Sequence, residues 1–514
     1  VLHLVKRQMT VKTLRPYQQR AFDELRKAVA DGHKRILLVI PTGGGKSVVF
    51  SKVISSANDK GNPVVFLVHK RELVHQASGH LENEQVHHAI IMAGEPQNQM
   101  ASNQICSKDT LYSRIKNGKM KPPRAKLMVI DEAHRTGSST YNHILDAEEY
   151  ENTIIIGVTA TPTRKTGRGL ADQWDKMIVV TTVAELQEMG FLCQTRYMVP
   201  AIPDLSGVSS SNGDYVDEQL QKIMDDKTLI GNIVDHWLKY AGWRQTIVFA
   251  SGVGHSKHLR DHFTMHGVVA AHIDAHTEQG ERDQIHDDFA AGKITVLCNV
   301  GIYTEGVDMP NVGCIVLAKP TKSIVYHLQA GGRGLRLKED GSDCLIIDHA
   351  GNVLRLGPME MDHEWSLEDE KTVYERDGER QASEDEKEHK ETEYICGKCG
   401  NIFISQPTCP TCGEPIVQTG KKLEVAQGEL TLYKPKKAPK QPASKLEKQR
   451  FWSMLLWRAE KKSYQRGWAS HKYKEKFGVW PKGMVDERLP PDFEFDKYIK
   501  YLNIKAAKSR QARA

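Results

Sequence analysis

Residues 41–47 read Pro-Thr-Gly-Gly-Gly-Lys-Ser. Consecutive glycines let a backbone turn tightly and aim its N–H groups inward, which is how a loop holds an anion. Thr42, Gly43, Gly44 and Gly45 form such a cradle. Lys46 can reach the β- and γ-phosphates of a nucleotide, and the Ser47 hydroxyl can ligate Mg²⁺. Ile40 stands where this pattern more often carries a small residue. Downstream come two adjacent carboxylates, Asp131 and Glu132, followed by Ala133 and His134. Beside a phosphate loop such a pair divides the work. Asp131 holds Mg²⁺, directly or through water, while Glu132 orients and deprotonates the attacking water.

Both sets of residues need a rigid support. The apolar runs Arg35–Ile40 and Lys126–Ile130 precede them and read as buried strands, which puts each chemical group at a strand's C-terminal end. Apolar runs alternate with amphipathic stretches through this part of the chain, the signature of parallel sheets covered by helices. The pattern predicts a first sheet from strands near 35–40, 64–69, 127–131, 154–158 and 194–199. A second sheet is predicted from strands near 246–250, 269–273, 295–298, 314–318 and 343–348. A chain of 514 residues is too long for one core. The join falls around 200–230, where Pro203, Gly207 and the polar run Ser209–Gly213 interrupt the pattern.

Further groups follow in order along the chain. Thr159-Ala160-Thr161-Pro162 comes after the apolar run Thr153–Val158, Thr304-Glu305-Gly306-Val307-Asp308 lies in the second half, and Gln329, Gly332, Arg333 and Arg336 fit Q-x-x-G-R-x-x-R. Leu14-Arg15-Pro16-Tyr17-Gln18 opens the pattern and His69-Lys70-Arg71-Glu72-Leu73 follows the second strand. Together these motifs resemble those of superfamily 2 helicases with the DEAH spelling, over roughly residues 12–357. Within that group the chain is similar to RadD-like repair helicases and related phage or prophage helicases.

The resemblance implies two tandem RecA-like P-loop domains, 12–205 and 206–357, after a flexible N-terminus at 1–11. It implies that Lys46, Asp131, Glu132, Gln329, Arg333 and Arg336 carry ATP hydrolysis. The two arginines would face the γ-phosphate from the second domain. Arg15 and Gln18 would recognise adenine, with Gly306 and Asp308 sensing the nucleotide. His69, Arg71, Thr159, Thr161 and Thr304 would touch the nucleic-acid backbone. An arginine delivered across a cleft is worth about 10³–10⁵ in turnover, so hydrolysis would be coupled to closure of the two domains.

Beyond residue 357 the composition changes. Cys396-Gly-Lys-Cys399 and Cys409-Pro-Thr-Cys412 are two C-x-x-C pairs separated by nine residues. Four thiolates at this spacing suit tetrahedral zinc in a small ribbon over 394–418, with a redox dithiol or paired disulfides as the alternatives. The other five cysteines, Cys106, Cys193, Cys298, Cys314 and Cys344, read as small buried hydrophobes. Charge is segregated behind the overall +6. Residues 359–393 carry 15 acidic against 5 basic side chains and read as a solvated linker or flexible helix, taken as an acidic linker over 358–393. Residues 434–514 carry 22 basic against 8 acidic. There the proline-spaced stretch around Lys434–Pro442 reads as part of a basic linker over 419–446. Half of the chain's eight tryptophans lie in its last 63 residues, which predicts a basic aromatic C-terminal module over 447–514 that contacts phosphates or protein partners.

No apolar run reaches the ~18 residues of a membrane span, and the opening Val1–Val5 is too short for a signal-peptide core. The chain reads as a cytoplasmic motor needing ATP, Mg²⁺ and Zn²⁺. DNA, single-stranded or branched, is its expected partner in replication, recombination or repair. An RNA helicase is the rival enzyme, and a nucleotide-switched clamp is the rival of another class.

Overall fold

A computed structural model describes residues 14–96, 98–199, 205, 207–211, 213–304, 309, 311–368, 370–379, 393–395, 402–404, 431–433, 445–462, 464–477, 479–491, 495 and 499. Residues 1–435 form one compact unit and 436–514 another.

The first unit is built on two seven-stranded sheets. The first holds β1 (Arg35–Val39), β2 (Val64–Val68), β3 (Ala89–Ile91), β4 (Asn103–Ser107), β5 (Leu127–Asp131), β6 (Ile154–Thr159) and β7 (Lys176–Val179). Its order is β3-β4-β2-β5-β6-β1-β7 and every pairing is parallel. Strands covered on both faces need no polar alternation. On β1, for example, Ile36 and Leu38 enter one apolar cluster and Leu37 enters another on the opposite face. Three helices bear on the site: α1 (Pro16–Ala30), α2 (Lys46–Asn58) and α3 (Arg71–Asn83). The order β5-β6-β1 brings three strand ends together, so Asp131, Thr159 and the turn after Val39 share one edge.

The second sheet contains β8 (Thr195–Val199) and, after the two-residue hairpin strands β9 (Ser210–Ser211) and β10 (Asp214–Tyr215), β11 (Thr246–Ala250), β12 (Ala270–Ile273), β13 (Val296–Asn299), β14 (Cys314–Ala318) and β15 (Cys344–Asp348). A short pair, β16 (Glu393–Ile395) and β17 (Ile402–Ile404), is antiparallel. The last strand, β18 (Thr431–Tyr433), closes the second sheet, whose order is β12-β13-β11-β14-β15-β8-β18.

Three expectations need correction here. The strand near 194–199 belongs to the second sheet, where it pairs in parallel with β15, so a first lobe ending at 205 overreaches. A short apolar strand fits either sheet. The deciding contact is through space, from the Cys193 amide to the Leu335 carbonyl at 2.9 Å. Residues 359–379 are not solvated throughout: Met359 and Val373 are buried, while 373–379 are helical, one of the two forms expected. Glu364, Glu368, Glu370, Lys371, Glu375 and Glu379 are exposed, while apolar residues and the buried His363–Asp377 pair seat the segment. Within 419–446, Thr431–Tyr433 pairs antiparallel with β8 as an edge strand. Strands β3, β4 and β7 were not foreseen.

Residues 1–13, and all four cysteines of the expected zinc set, lie outside the described residues. Cys106, Cys193, Cys298, Cys314 and Cys344 are buried and free, as expected.

The second unit contains the helices Lys445–Lys461 and Arg466–Phe477. Phe451, Trp452, Leu455, Tyr473, Phe495 and Ile499 are among the residues of its own apolar core. Trp480 stays 43% exposed, with the Lys474 ammonium 4.5 Å from its ring centroid.

Candidate active site

Ile40 continues β1 by donating its N–H to the Thr159 carbonyl, and Lys46 opens α2. Between them the backbone turns at two glycines with positive φ, Gly43 (+79°) and Gly45 (+80°), where side chains are strained. A methyl on Gly44 would meet Ile40 Cγ2 at 2.8 Å, and one on Gly45 would meet Gln18 Nε2 at 2.5 Å. The loop therefore fits its neighbours only as glycine.

The start of α1 braces this loop from behind. Tyr17 donates its hydroxyl to the Gly44 carbonyl at 2.7 Å, and Gln18 Nε2 donates to the Gly45 carbonyl at 3.4 Å. Gln18 Oε1 accepts from the Arg15 amide at 2.9 Å, and the Arg15 guanidinium stacks 4.1 Å from the Phe191 ring centroid. Gln18 thus braces the loop from behind.

Lys46 Nζ lies 3.4 Å from Glu132 Oε1. Asp131 ends β5, and burial, then the neighbouring Glu132 carboxylate, pushes its carboxyl up to about 6 against the pull of Lys46. Its Oδ1 accepts from the Glu132 amide at 2.9 Å. Glu132 itself sits at φ +49°, a left-handed conformation for a non-glycine residue. That turn swings its carboxylate back across the strand ends toward Lys46. Glu132 Oε2 is 3.4 Å from His134 Nδ1, which is 3.1 Å from Thr159 Oγ1. Thr159 Oγ1 accepts from the Thr161 amide at 3.1 Å. A continuous polar chain therefore links the carboxylate to the loop after β6. His134 and Tyr17 stand in motifs read from sequence but carry no assigned role there, and Phe191 stands in none. For His134 the signal was present, two residues after Glu132, while the other two act by contacts that spacing does not reveal.

The second lobe reaches the same place through the helix Ile324–Gly332. A methyl on Gly332 would lie 2.8 Å from Thr42 Cβ, and one on Gly43 would lie 4.0 Å from Arg336 Cγ. The arginine-bearing turn thus abuts the glycine loop. Arg333 donates to the Thr304 carbonyl from Nη2 at 2.7 Å and from Nε at 3.1 Å. Gln329 is buried, and its Nε2 has no hydrogen-bond partner among the described residues. Gly306 and Asp308 lie outside those residues.

The expected nucleic-acid contacts divide. Arg71 is exposed at the start of α3, where it donates to the Ala93 carbonyl at 3.2 Å. Thr159 and Thr161 are fully buried and Thr304 is 9% exposed. The Thr159 hydroxyl and the backbone groups of Thr161 and Thr304 tie parts of the site together, and the three side chains do not form an exposed track. His69 is half-buried and acts electrostatically on Asp131.

The donor set suits a magnesium nucleotide. A glycine cradle that a Cβ would fill, one lysine and two arginines match a polyphosphate, while the Ser47 hydroxyl and Asp131 carboxylate are hard oxygen ligands for Mg²⁺. Among the described residues no group of three or more His, Cys, Asp or Glu could hold a metal on its own.

Comparisons with known proteins bear on the family and the fold. Residues 11–164 match the family described as type III restriction enzyme, res subunit, and residues 228–338 match the helicase conserved C-terminal domain. A 51.5 kDa protein of a Lactococcus phage is 31% identical over 77% of this chain and 82% of its own length. IRC3 of Saccharomyces cerevisiae, an ATP-dependent helicase by name, is 33% identical over 68% of this chain and 53% of its own. The chain thus spans about half of that yeast relative. Among solved structures, a fragment of an HsdR subunit of a type I restriction enzyme from Vibrio vulnificus superposes with a TM-score of 0.52, at 22% identity over 66% of this chain and 65% of that one. The type ISP restriction-modification enzyme LlaBIII, solved bound to DNA, gives 0.50 at 18% identity over 71% of this chain and 29% of that one.

Proposed function

This chain belongs to the superfamily 2 helicases, which hydrolyse ATP in dependence on nucleic acid, and on that premise we propose that it is a DNA translocase or helicase of replication, recombination or repair. The observation that carries the reading is the abutment of Gly332 on Thr42, with Arg336 beside Gly43. Phosphoryl transfer needs positioning and charge neutralisation more than covalent help. The loop amides of Gly43–Lys46 and the Lys46 ammonium bind the phosphates, and Ser47 and Asp131 would hold Mg²⁺, which would supply positive charge against that developing on the phosphates. Glu132 takes the proton of the attacking water, with its carboxylate oriented by Lys46 and His134. Arg336, with Arg333 released from Thr304, supplies positive charge from the opposite lobe. The site is complete only when the lobes meet, so turnover follows lobe movement.

DNA as the substrate is supported by analogy with LlaBIII, which was solved holding DNA, and by the basic second unit. Over 445–491 the described segments carry a surplus of Lys and Arg around the exposed Trp480. Aromatic faces beside cations suit unpaired bases and their phosphates. Zinc on Cys396, Cys399, Cys409 and Cys412 belongs to the same proposal. It is supported by the pair β16–β17, whose strands flank Cys396 and Cys399. The deciding experiment compares ATP turnover with single-stranded DNA, duplex, forked DNA and RNA. Stimulation greatest with a DNA ligand is expected. Stimulation by RNA alone would make the chain an RNA helicase, and nucleotide binding without stimulated turnover would make it a clamp.

A further inference from the structure

Residues 359–377 follow the second lobe, yet they bind both lobes in turn. At the start of the segment the Met359 amide donates to the Tyr197 hydroxyl at 2.8 Å, and Tyr197 and Thr195 donate to Glu360 at 2.5 and 3.0 Å. Met359 packs so closely on Gly331 that any side chain there would overlap its sulfur. Gly331 lies on the helix that carries the arginine turn, two residues before Arg333.

The segment next passes over a cavity of about 50 Å³ whose lining includes Thr42 and Gly332, with Met361, His363 and Trp365 among its walls. It then grips the first lobe. The Leu367 carbonyl accepts from Ala171 at 2.8 Å, and the Val373 amide donates to the Gly167 carbonyl at 2.8 Å. A methyl on Gly169 would overlap the carbonyl oxygens of Leu367 and Glu368. Gly167, Gly169 and Ala171 belong to the loop that leaves the buried Thr159–Pro162 turn.

Finally the segment returns to the second lobe. Tyr374 donates its hydroxyl to the Lys322 carbonyl at 2.6 Å and accepts from the Ile324 amide at 2.9 Å, at the opening of the same helix. Val373 is buried with Ile324, Val325 and Leu356. His363 Nδ1 and Asp377 Oδ2, 2.7 Å apart and both buried, fasten the segment to itself.

We propose that residues 359–377 are a positioning strap that ties the loop after Thr159–Pro162 to both ends of the arginine-bearing helix, so that a movement of one lobe against the other is delivered to Arg333 and Arg336. The strap acts through Met359 on Gly331 and through Tyr374 on Ile324, and touches no reacting atom. This inference rests on the proposed hydrolysis between the lobes.

The test uses the full chain with Gly169→Ala, whose added methyl displaces the strap at the first lobe, and with Tyr374→Phe, which removes only the hydroxyl joining Lys322 and Ile324. Turnover is measured against ATP concentration, with and without the best stimulating nucleic acid. In both variants basal turnover is expected within about twofold of the parent and KM for ATP unchanged. The nucleic-acid-stimulated kcat is expected to fall at least tenfold. Thermal unfolding identifies a variant that has not folded, and Tyr374→Phe, the milder change, then carries the test. Full stimulation in a folded Tyr374→Phe variant, or a parallel loss of basal and stimulated turnover there, overturns the strap. A parent protein that no nucleic acid stimulates would instead overturn the functional reading on which it rests.

Discussion

At the scale of single residues the catalytic assignment makes the sharpest demand. Lys46→Ala removes the cation facing the phosphates, and Glu132→Gln removes the base while keeping shape. Each is expected to lower ATP turnover at least 10²-fold, of the order that a positioned base contributes, with circular dichroism and unfolding temperature close to the parent's. Normal turnover in either variant would withdraw these residues from the reaction. The placement of Lys46, Asp131, Glu132 and the glycines at strand ends was readable from sequence because a tight turn and a carboxylate pair are local features. Thr159, Thr161 and Thr304, expected at a nucleic-acid surface, have buried side chains. Which face a threonine turns to is settled by the strand packed beside it, and spacing along the chain does not carry that.

At the scale of elements, the second lobe buries imidazoles in neutral form. Burial holds His349 down to about 3, and His255 and His327 down to about 4. An unfolded histidine titrates near 6.5. The unfolded chain therefore takes up protons first, and stability falls as pH drops from about 6.5 toward 4. At pH 5 this amounts to roughly 2 kcal/mol for each such group. The unfolding temperature should drop between pH 7 and pH 5, and His327→Gln, which keeps a donor near the Gly357 carbonyl, should shallow that drop. An unchanged slope would mean that His327 is not the neutral, buried group described. Most strands of both sheets were visible as apolar runs. The home of β8 and the folding of 359–379 were not, since a five-residue strand and a charged segment reveal their partners only in three dimensions.

At the scale of the whole molecule, charge is separated by region. Removal of 436–514 should weaken binding to a DNA oligonucleotide and flatten its dependence on salt, because fewer phosphate-bound counterions are released. Basal ATP turnover should stay near that of the full chain. Equal affinity and equal salt slope would assign the second unit to protein partners. Changing Cys396 and Cys399 to serine should release about one zinc ion per chain, the stoichiometry of a four-thiolate site. Unchanged zinc content by atomic absorption would dismiss the ribbon.

Where such a truncation is made matters because of Thr431–Tyr433. That short strand is the outermost of its sheet and shields β8, whose Tyr197, Met198 and Val199 are buried. A chain stopped at 435 keeps the shield. One stopped at 430 bares a row of backbone donors and acceptors beside apolar side chains, an invitation for a neighbour to add a strand. The shorter protein should therefore elute from a sizing column as oligomers while the longer one does not. Any loss of DNA binding measured on the shorter one would report clumping and not a missing contact.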